Sequence, residues 1–271
     1  MNDQPYYTFN REERNLAAIL YHLLLTGEQN LGRFLDLVDH KPEWPLSKCE
    51  VYYEYAWIRD DWHRKELVLK PDVVKQNAEK RNWVVDRLPM GIKPPSSDNE
   101  IRAWNEFFGL VKNPSVEHIQ SPANWVLSRV SDTVQGDDYC QLALLKWAFN
   151  IKPDLVIITG DRRAVCIEAK VESGAGKYPT SRADKADWKK RGAGDYVDQL
   201  DCQRNLFENV LDYPKAATGS SDPSVRFVLL DSKGKGHSDV KGLSWSEVFT
   251  EMKAPNSHAM VEKWLEPYVK V

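Results

Sequence analysis

The chain has 271 residues and a formal net charge of −3, which says nothing in favour of wholesale nucleic-acid coating, so any polyanion site must be local. Its 42% hydrophobic and 28% charged content, with no tract of biased composition, excludes a disordered or fibrous protein. The length suits one domain carrying an insertion as well as it suits two domains.

The longest nearly apolar run, 16–25, includes Tyr21 and His22 and is about half the ~20 residues that a membrane span needs, so no membrane partner is expected. The opening MNDQPYYTFNREER has no basic start leading into an apolar stretch, and a cytoplasmic location follows as the expectation. Cys49, Cys140, Cys166 and Cys202 form no CxxC pair, which argues against zinc and a disulfide framework and for buried thiols. The histidines show no HxH or HExxH spacing.

The first element in the chain is a helix over 12–25, where Leu16, Ile19, Leu20, Leu23 and Leu24 make one apolar stripe. Asn10 with Glu13 three residues on is a weak capping signal. Over 40–115, Trp44, Trp57, Trp62, Trp83 and Trp104 lie among prolines and mixed charge without strand alternation, which predicts a mainly helical insertion with tryptophans packed in its core. VEHIQ at 116–120 is the candidate for a first core strand. Ser121-Pro122 predicts a helix through Val134, and Asp138 with Gln141 a second one ending near Phe149. A helix near 195–211, a strand at Val225 to Leu230 and a helix capped by Ser244 complete an α/β or α+β pattern, its sheet in the last 130 residues or so.

The stretch 152–170, KPDLVIITGDRRAVCIEAK, reads as two apolar strands about a Gly160-Asp161 turn, with charge at its ends. With a three-residue loop, Gly160 to Arg162, Thr159 pairs with Arg163 and Asp154 lies opposite Glu168. Lys170 shares the parity of Glu168, so all three charges meet on one face, and a loop one residue longer or shorter breaks the arrangement. Two neighbouring carboxylates repel unless a cation lies between them, and oxygen-only ligands suit Mg²⁺, with Mn²⁺ as a substitute. Lys170 can then orient a water or neutralise charge on a phosphorus centre.

Pro153-Asp154, the hairpin and Glu168-Ala169-Lys170 together resemble the signature of the PD-(D/E)xK nuclease superfamily. The resemblance implies an α/β restriction-endonuclease-like core, a central mixed β-sheet flanked by helices, with the Trp-rich helical segment as an insertion. It implies that Asp154 and Glu168 bind the divalent metal and that Lys170 assists the nucleophile. It also points to Gln199 in DYVDQLDCQRNLF as an accessory catalytic residue and to Glu13 as a further ligand, although Glu13 is explained almost as well as a helix-capping residue. The implied activity is metal-dependent hydrolysis of phosphodiester bonds, with DNA the expected substrate, in defence against foreign DNA, restriction or repair. The alternative is a catalytically silent nucleic-acid-binding or assembly module of the same fold. The expected organisation is 1–38 as an N-terminal helix of the core, 39–115 as the insertion and 116–271 as the nuclease core. A homodimer, or a partner protein held by the insertion, is the expected assembly.

GKYPTSRADKADWKKRG carries Lys177, Arg182, Lys185, Lys189, Lys190 and Arg191 with Tyr178 and Trp188 between them. Cations interleaved with aromatic faces are what phosphate contacts and base stacking use, and these six are the candidate nucleic-acid contacts.

Overall fold

The computed structural model describes residues 13–68, 72–95, 100–112, 114–171, 176–216, 220, 222–236 and 240–252. Its described elements run α1 (Glu13–Leu25), α2 (Glu28–Leu37), β1 (Glu50–Tyr53), α3 (Trp57–Val68), α4 (Val73–Val85), α5 (Ile101–Phe107), α6 (Gly136–Ala148), β2 (Leu155–Gly160) and β3 (Arg163–Ala169). They continue with β4 (Lys177–Tyr178), α7 (Arg182–Lys190), β5 (Val197–Asp198), α8 (Gln199–Asn205), β6 (Val225–Asp231), β7 (Lys241–Ser244) and α9 (Trp245–Glu251). Two compact units emerge: Met1–Tyr55 with Lys152–Ala175 and Asp212–Val271, and Ala56–Ile151 with Gly176–Leu211. The boundaries at 38 and 115 drawn from the sequence divide the chain differently.

The first unit is α/β. Its five-stranded sheet has the order β1-β2-β3-β6-β7, antiparallel from β1 to β3 and parallel from β3 to β7. Leu155, Ile157, Val165, Ile167, Val228 and Leu230 on one face of the sheet pack with the leucine stripe of α1, with Phe34 and Leu35 of α2, and with Trp245 and Phe249 of α9. Burying such side chains contributes ~1.5–3 kcal/mol each, which is why this face fixes the helices. Ser244 caps α9, as the sequence predicts, and the structure adds a full capping box with Glu247. The Asn10 cap proposed for α1 lies outside the described residues.

Three expectations are corrected. VEHIQ forms no strand; the sheet's first strand is β1, inside the segment read as helical. Val51, Tyr52 and Tyr53 are good strand formers, but β1 is an edge strand of four residues with one face open, so its alternation is short and easily missed. The helix expected from Ser121 to Val134 is two 3₁₀ turns, Pro122–Asn124 and Leu127–Arg129. Ser121 does cap the first, but Trp125 turns inward to stack on Phe108 at 4.0 Å and the Val126 N–H bonds the Phe108 carbonyl, so tertiary packing overrides the local signal. Asp138 lies within the first turn of α6, whose N-cap is Gln135.

The second unit is mainly helical, with the two-stranded β4-β5 pairing. Trp62, Trp83 and Phe149 meet edge to face at 5.5–6.0 Å, and Trp147 stacks on Trp188 at 5.5 Å. Trp62 and Trp104 are buried, whereas Trp57 is 45% exposed. Among the described residues no helix is long and apolar enough to cross a membrane.

Candidate functional site

Asp154 directly precedes β2 and is held there from the neighbouring strand. The carbonyls of Pro153 and Asp154 accept the N–H groups of Tyr55 (3.0 Å) and Glu54 (2.9 Å), extending the β1-β2 pairing by two residues. Across the hairpin, Leu155 pairs with Ile167 and Val156 with Cys166, and one further step in this register puts Asp154 opposite Glu168. The turn itself differs from expectation. Gly160 pairs with Arg163, leaving a two-residue turn of Asp161 and Arg162, and a bulge at Thr159 absorbs the odd residue. The loop is one residue shorter than the sequence argument required, and the bulge restores the register that the shorter loop alone would have broken.

Alternate N–H groups of β3 point to opposite neighbours. Those of Ala164 and Lys170 bond Ser224 and Leu230 on the β6 side, so that of Ala169 points to the β2 side, where the ladder has ended. The Asp154 carboxylate takes it, Oδ2 accepting at 2.8 Å. Glu168, 1% exposed, and Lys170, 9% exposed, form an ion pair at 2.6 Å, as their common parity requires. The Lys170 backbone is anchored from both sides: its N–H bonds the Leu230 carbonyl at 2.7 Å and its carbonyl accepts the Trp245 indole N–H at 2.8 Å.

This face carries negative charge that its neighbours sense. The Cys166 thiol is pushed well up by complete burial, then by Glu168 and Asp154, and stays protonated. The Tyr53 hydroxyl is raised by burial and by the charges of Glu54 and Asp154. Asp154 and Glu168 offer carboxylate oxygen of the kind a hard divalent cation takes, and the nearby Cys166 thiol, kept protonated, is a poor competing ligand. Among the described residues no group of three or more His, Cys, Asp or Glu side chains is placed to hold a metal ion. Glu13 opens α1, but its side chain lies outside the described residues.

Gln199 belongs to the second unit. It begins α8, its N–H bonding the Gly176 carbonyl at 2.8 Å while its Oε1 accepts the Gly176 N–H at 3.4 Å. In the same unit α7 is amphipathic. Arg182, Lys189 and Lys190 are exposed, Lys177 is exposed on β4, and the half-buried Lys185 lies 5.8 Å from the Tyr196 ring. Arg191 departs from expectation: it is 3% exposed and all five of its N–H groups are used, on the Val130, Ser131 and Val134 carbonyls and on Asp132 and Asp187. It also lies over the Tyr139 ring at 4.8 Å. Arg191 is a structural cation and leaves the set of exposed phosphate contacts. Trp188 is likewise buried, its indole N–H on the Gly194 carbonyl, and presents no face to a base. Asp184, Asp187, Trp188 and Arg191 recur at i, i+3, i+4 and i+7, a pattern in the sequence that marks the inner face of α7.

Sequence reading missed His40 and Thr159. Both are buried, and His40 Nε2 lies 2.7 Å from the Thr159 hydroxyl. Nothing in either residue's local sequence links positions 119 apart. Compared with protein-family models, curated proteins and solved structures, the chain matches none.

Proposed function

We propose that the chain is a Mg²⁺-dependent nuclease that hydrolyses phosphodiester bonds, DNA being the substrate, on a restriction-endonuclease-like core. The observation that carries this reading is the hairpin register: Asp154 opposite Glu168, with Lys170 paired to Glu168 on the same face. Two acidic side chains held side by side on buried strands repel each other, and a fold that keeps them there has a use for a cation.

Asp154 and Glu168 would hold the Mg²⁺, or Mn²⁺ in its place, which when bound supplies stabilisation of developing phosphoryl charge and a more acidic bound water. Asp154 keeps one oxygen on the Ala169 N–H, so its carboxylate is oriented before any ligand arrives. Lys170 fixes the rotamer of Glu168 and brings an ammonium to the position where an attacking water is oriented and charge on the phosphorus centre is neutralised. Lys177, Arg182, Lys185, Lys189 and Lys190 supply phosphate contacts. Gln199 and Glu13 remain the accessory candidates that the resemblance names. A role in defence against foreign DNA, restriction or repair belongs to the same proposal.

The internal satisfaction of the triplet favours a second reading. Glu168 is already paired with Lys170, and Asp154 already caps a strand end, which is what a catalytically silent nucleic-acid-binding module would retain for structure alone. Plasmid cleavage in Mg²⁺ or Mn²⁺, alongside calorimetric Mg²⁺ titration, separates the two. The variants are Asp154→Asn, Glu168→Gln and Lys170→Met, of which Asp154→Asn keeps the acceptor for Ala169. The nuclease reading expects each to lower the cleavage rate at least about a hundredfold, in line with loss of one preorganised electrostatic group. Full cleavage in all three, or a wild-type protein that binds no Mg²⁺, sinks it.

A further inference from the structure

The two-residue turn Asp161-Arg162 does not by itself produce the register seen in the hairpin. Continued as a regular ladder from Gly160 and Arg163, it would pair Leu155 with Glu168 and Asp154 with Ala169. Asp154 would then share the face of Ala169, on the side of α1, α2 and α9, and lose Glu168 and Lys170. The hydrophobic pattern does little to prevent this slip. Leu155, Val156, Ile157 and Ile158 are all buried, so β2 is apolar on both faces and exchanging them costs little transfer energy. The bulge at Thr159 holds the other register, and it needs something to hold it.

Residues 40–44 do so. The Thr159 carbonyl, displaced from the ladder, accepts the N–H groups of both Glu43 and Trp44 at 2.9 Å. Its hydroxyl donates to the Arg163 carbonyl at 3.3 Å, which leaves the oxygen to accept His40 Nε2–H at 2.7 Å. The Arg163 guanidinium donates to the Lys41 carbonyl at 2.5 Å and pairs with Asp222, so both strands of the turn are tied to the same segment. His40 is itself delivered by the end of α2: Asp39 takes a left-handed conformation at φ 52°, its N–H bonds the Asp36 carbonyl, and the His40 N–H bonds that of Leu35. This is the Schellman arrangement, with aspartate where glycine is commonest.

We propose that His40 and Thr159 are positioning residues: the clamp of residues 40–44 on the Thr159 bulge sets the register that brings Asp154 opposite Glu168. The catalytic consequence rests on the nuclease reading; the register itself does not. In the full chain, Thr159→Val and His40→Leu remove the side-chain bond, while Thr159→Ser and His40→Gln preserve it. Strand register is read from cross-strand NOEs, which join Val156 to Cys166 in the native pairing and Val156 to Ile167 in the slipped one. Thr159→Val and His40→Leu are expected to populate the slipped pairing and weaken Mg²⁺ binding at least tenfold, and the Ser and Gln variants to restore both. Deleting Thr159 provides the independent check, because an unbulged ladder on the same two-residue turn pairs Ile158 with Ala164 as in the native chain. That variant should keep the Val156–Cys166 contact without the clamp, and it decides the matter alone if Thr159→Val does not fold. Native NOEs throughout Thr159→Val and His40→Leu, or their loss on deleting Thr159, would overturn the proposal. A wild-type protein that neither binds Mg²⁺ nor cuts DNA defeats the nuclease reading instead, and the NOE pattern still tests the clamp.

Discussion

Asp154 serves the structure before it serves any ligand. Its carboxylate is the partner of the Ala169 N–H at a strand end, and a buried donor left without one costs ~1–3 kcal/mol. Asp154→Ala is therefore expected to lower unfolding free energy by about that amount in urea titration, while Asp154→Asn stays within ~0.5 kcal/mol of wild type because its amide oxygen still accepts. Equal stabilities for the two would show that the Ala169 bond is not formed in solution. The neighbouring ion pair obeys a harsher rule: removing one partner of a buried pair strands a charge, so Glu168 and Lys170 depend on each other. His40 is the titrating residue of the clamp. Burial first and then the nearby Arg163 depress its pKa to about 4; Asp222 opposes them, and Arg226 adds the smallest lowering effect. The unfolded chain takes up this proton below about pH 6.5 and the folded chain only below about 4, so stability falls as pH drops through that window and then levels. The loss is on the order of 3 kcal/mol. Urea midpoints at pH 7 and pH 4.5 should differ less in His40→Gln than in wild type; an unchanged difference would mean that His40 is protonated in the folded state.

At the scale of elements, the parts legible in the sequence were those whose signal is local. The leucine stripe of α1, the apolar runs of β2, β3 and β6, and the Ser244 cap of α9 each carry their periodicity or cap within a dozen residues. The hairpin has the expected register but not the expected turn, because two deviations cancel: the loop is one residue short and the bulge adds one back. Turn length can be guessed from Gly160-Asp161, but the bulge depends on amide groups from residues 43 and 44, which no local rule connects to Thr159. β1 escaped notice for the opposite reason, being a short edge strand that needs β2 beside it to be a strand at all. In the Ser121 to Val134 segment the cap and the proline stand where the sequence predicts but the helix does not form, since the Trp125 and Phe108 stack competes with the next turn.

For the whole molecule, a net charge of −3 makes any polyanion contact a matter of where cations cluster. Lys177, Arg182, Lys185, Lys189 and Lys190 lie within fourteen residues of the second unit, and if all five meet phosphates the salt dependence of DNA affinity has a slope of up to about −4.5 on logarithmic axes. Lys189→Glu with Lys190→Glu should reduce that slope by about 2, measured by anisotropy titration between about 50 and 200 mM salt. An unchanged slope would place DNA elsewhere. Arg191 should behave otherwise: its substitution disturbs the fold around residues 130–134 rather than the salt slope. By itself the sequence determined the hairpin, its two apolar strands, the charges at their ends and the shared parity of Glu168 and Lys170, because periods of two and caps of three residues are properties of neighbouring positions. Only the tertiary structure decided that Asp154 faces Glu168 through a bulge, that residues 40–44 hold that bulge, that β1 completes the sheet and that Arg191 turns inward. Each of these is a contact between segments distant in the chain, whose energy exists only once the backbone has brought them together.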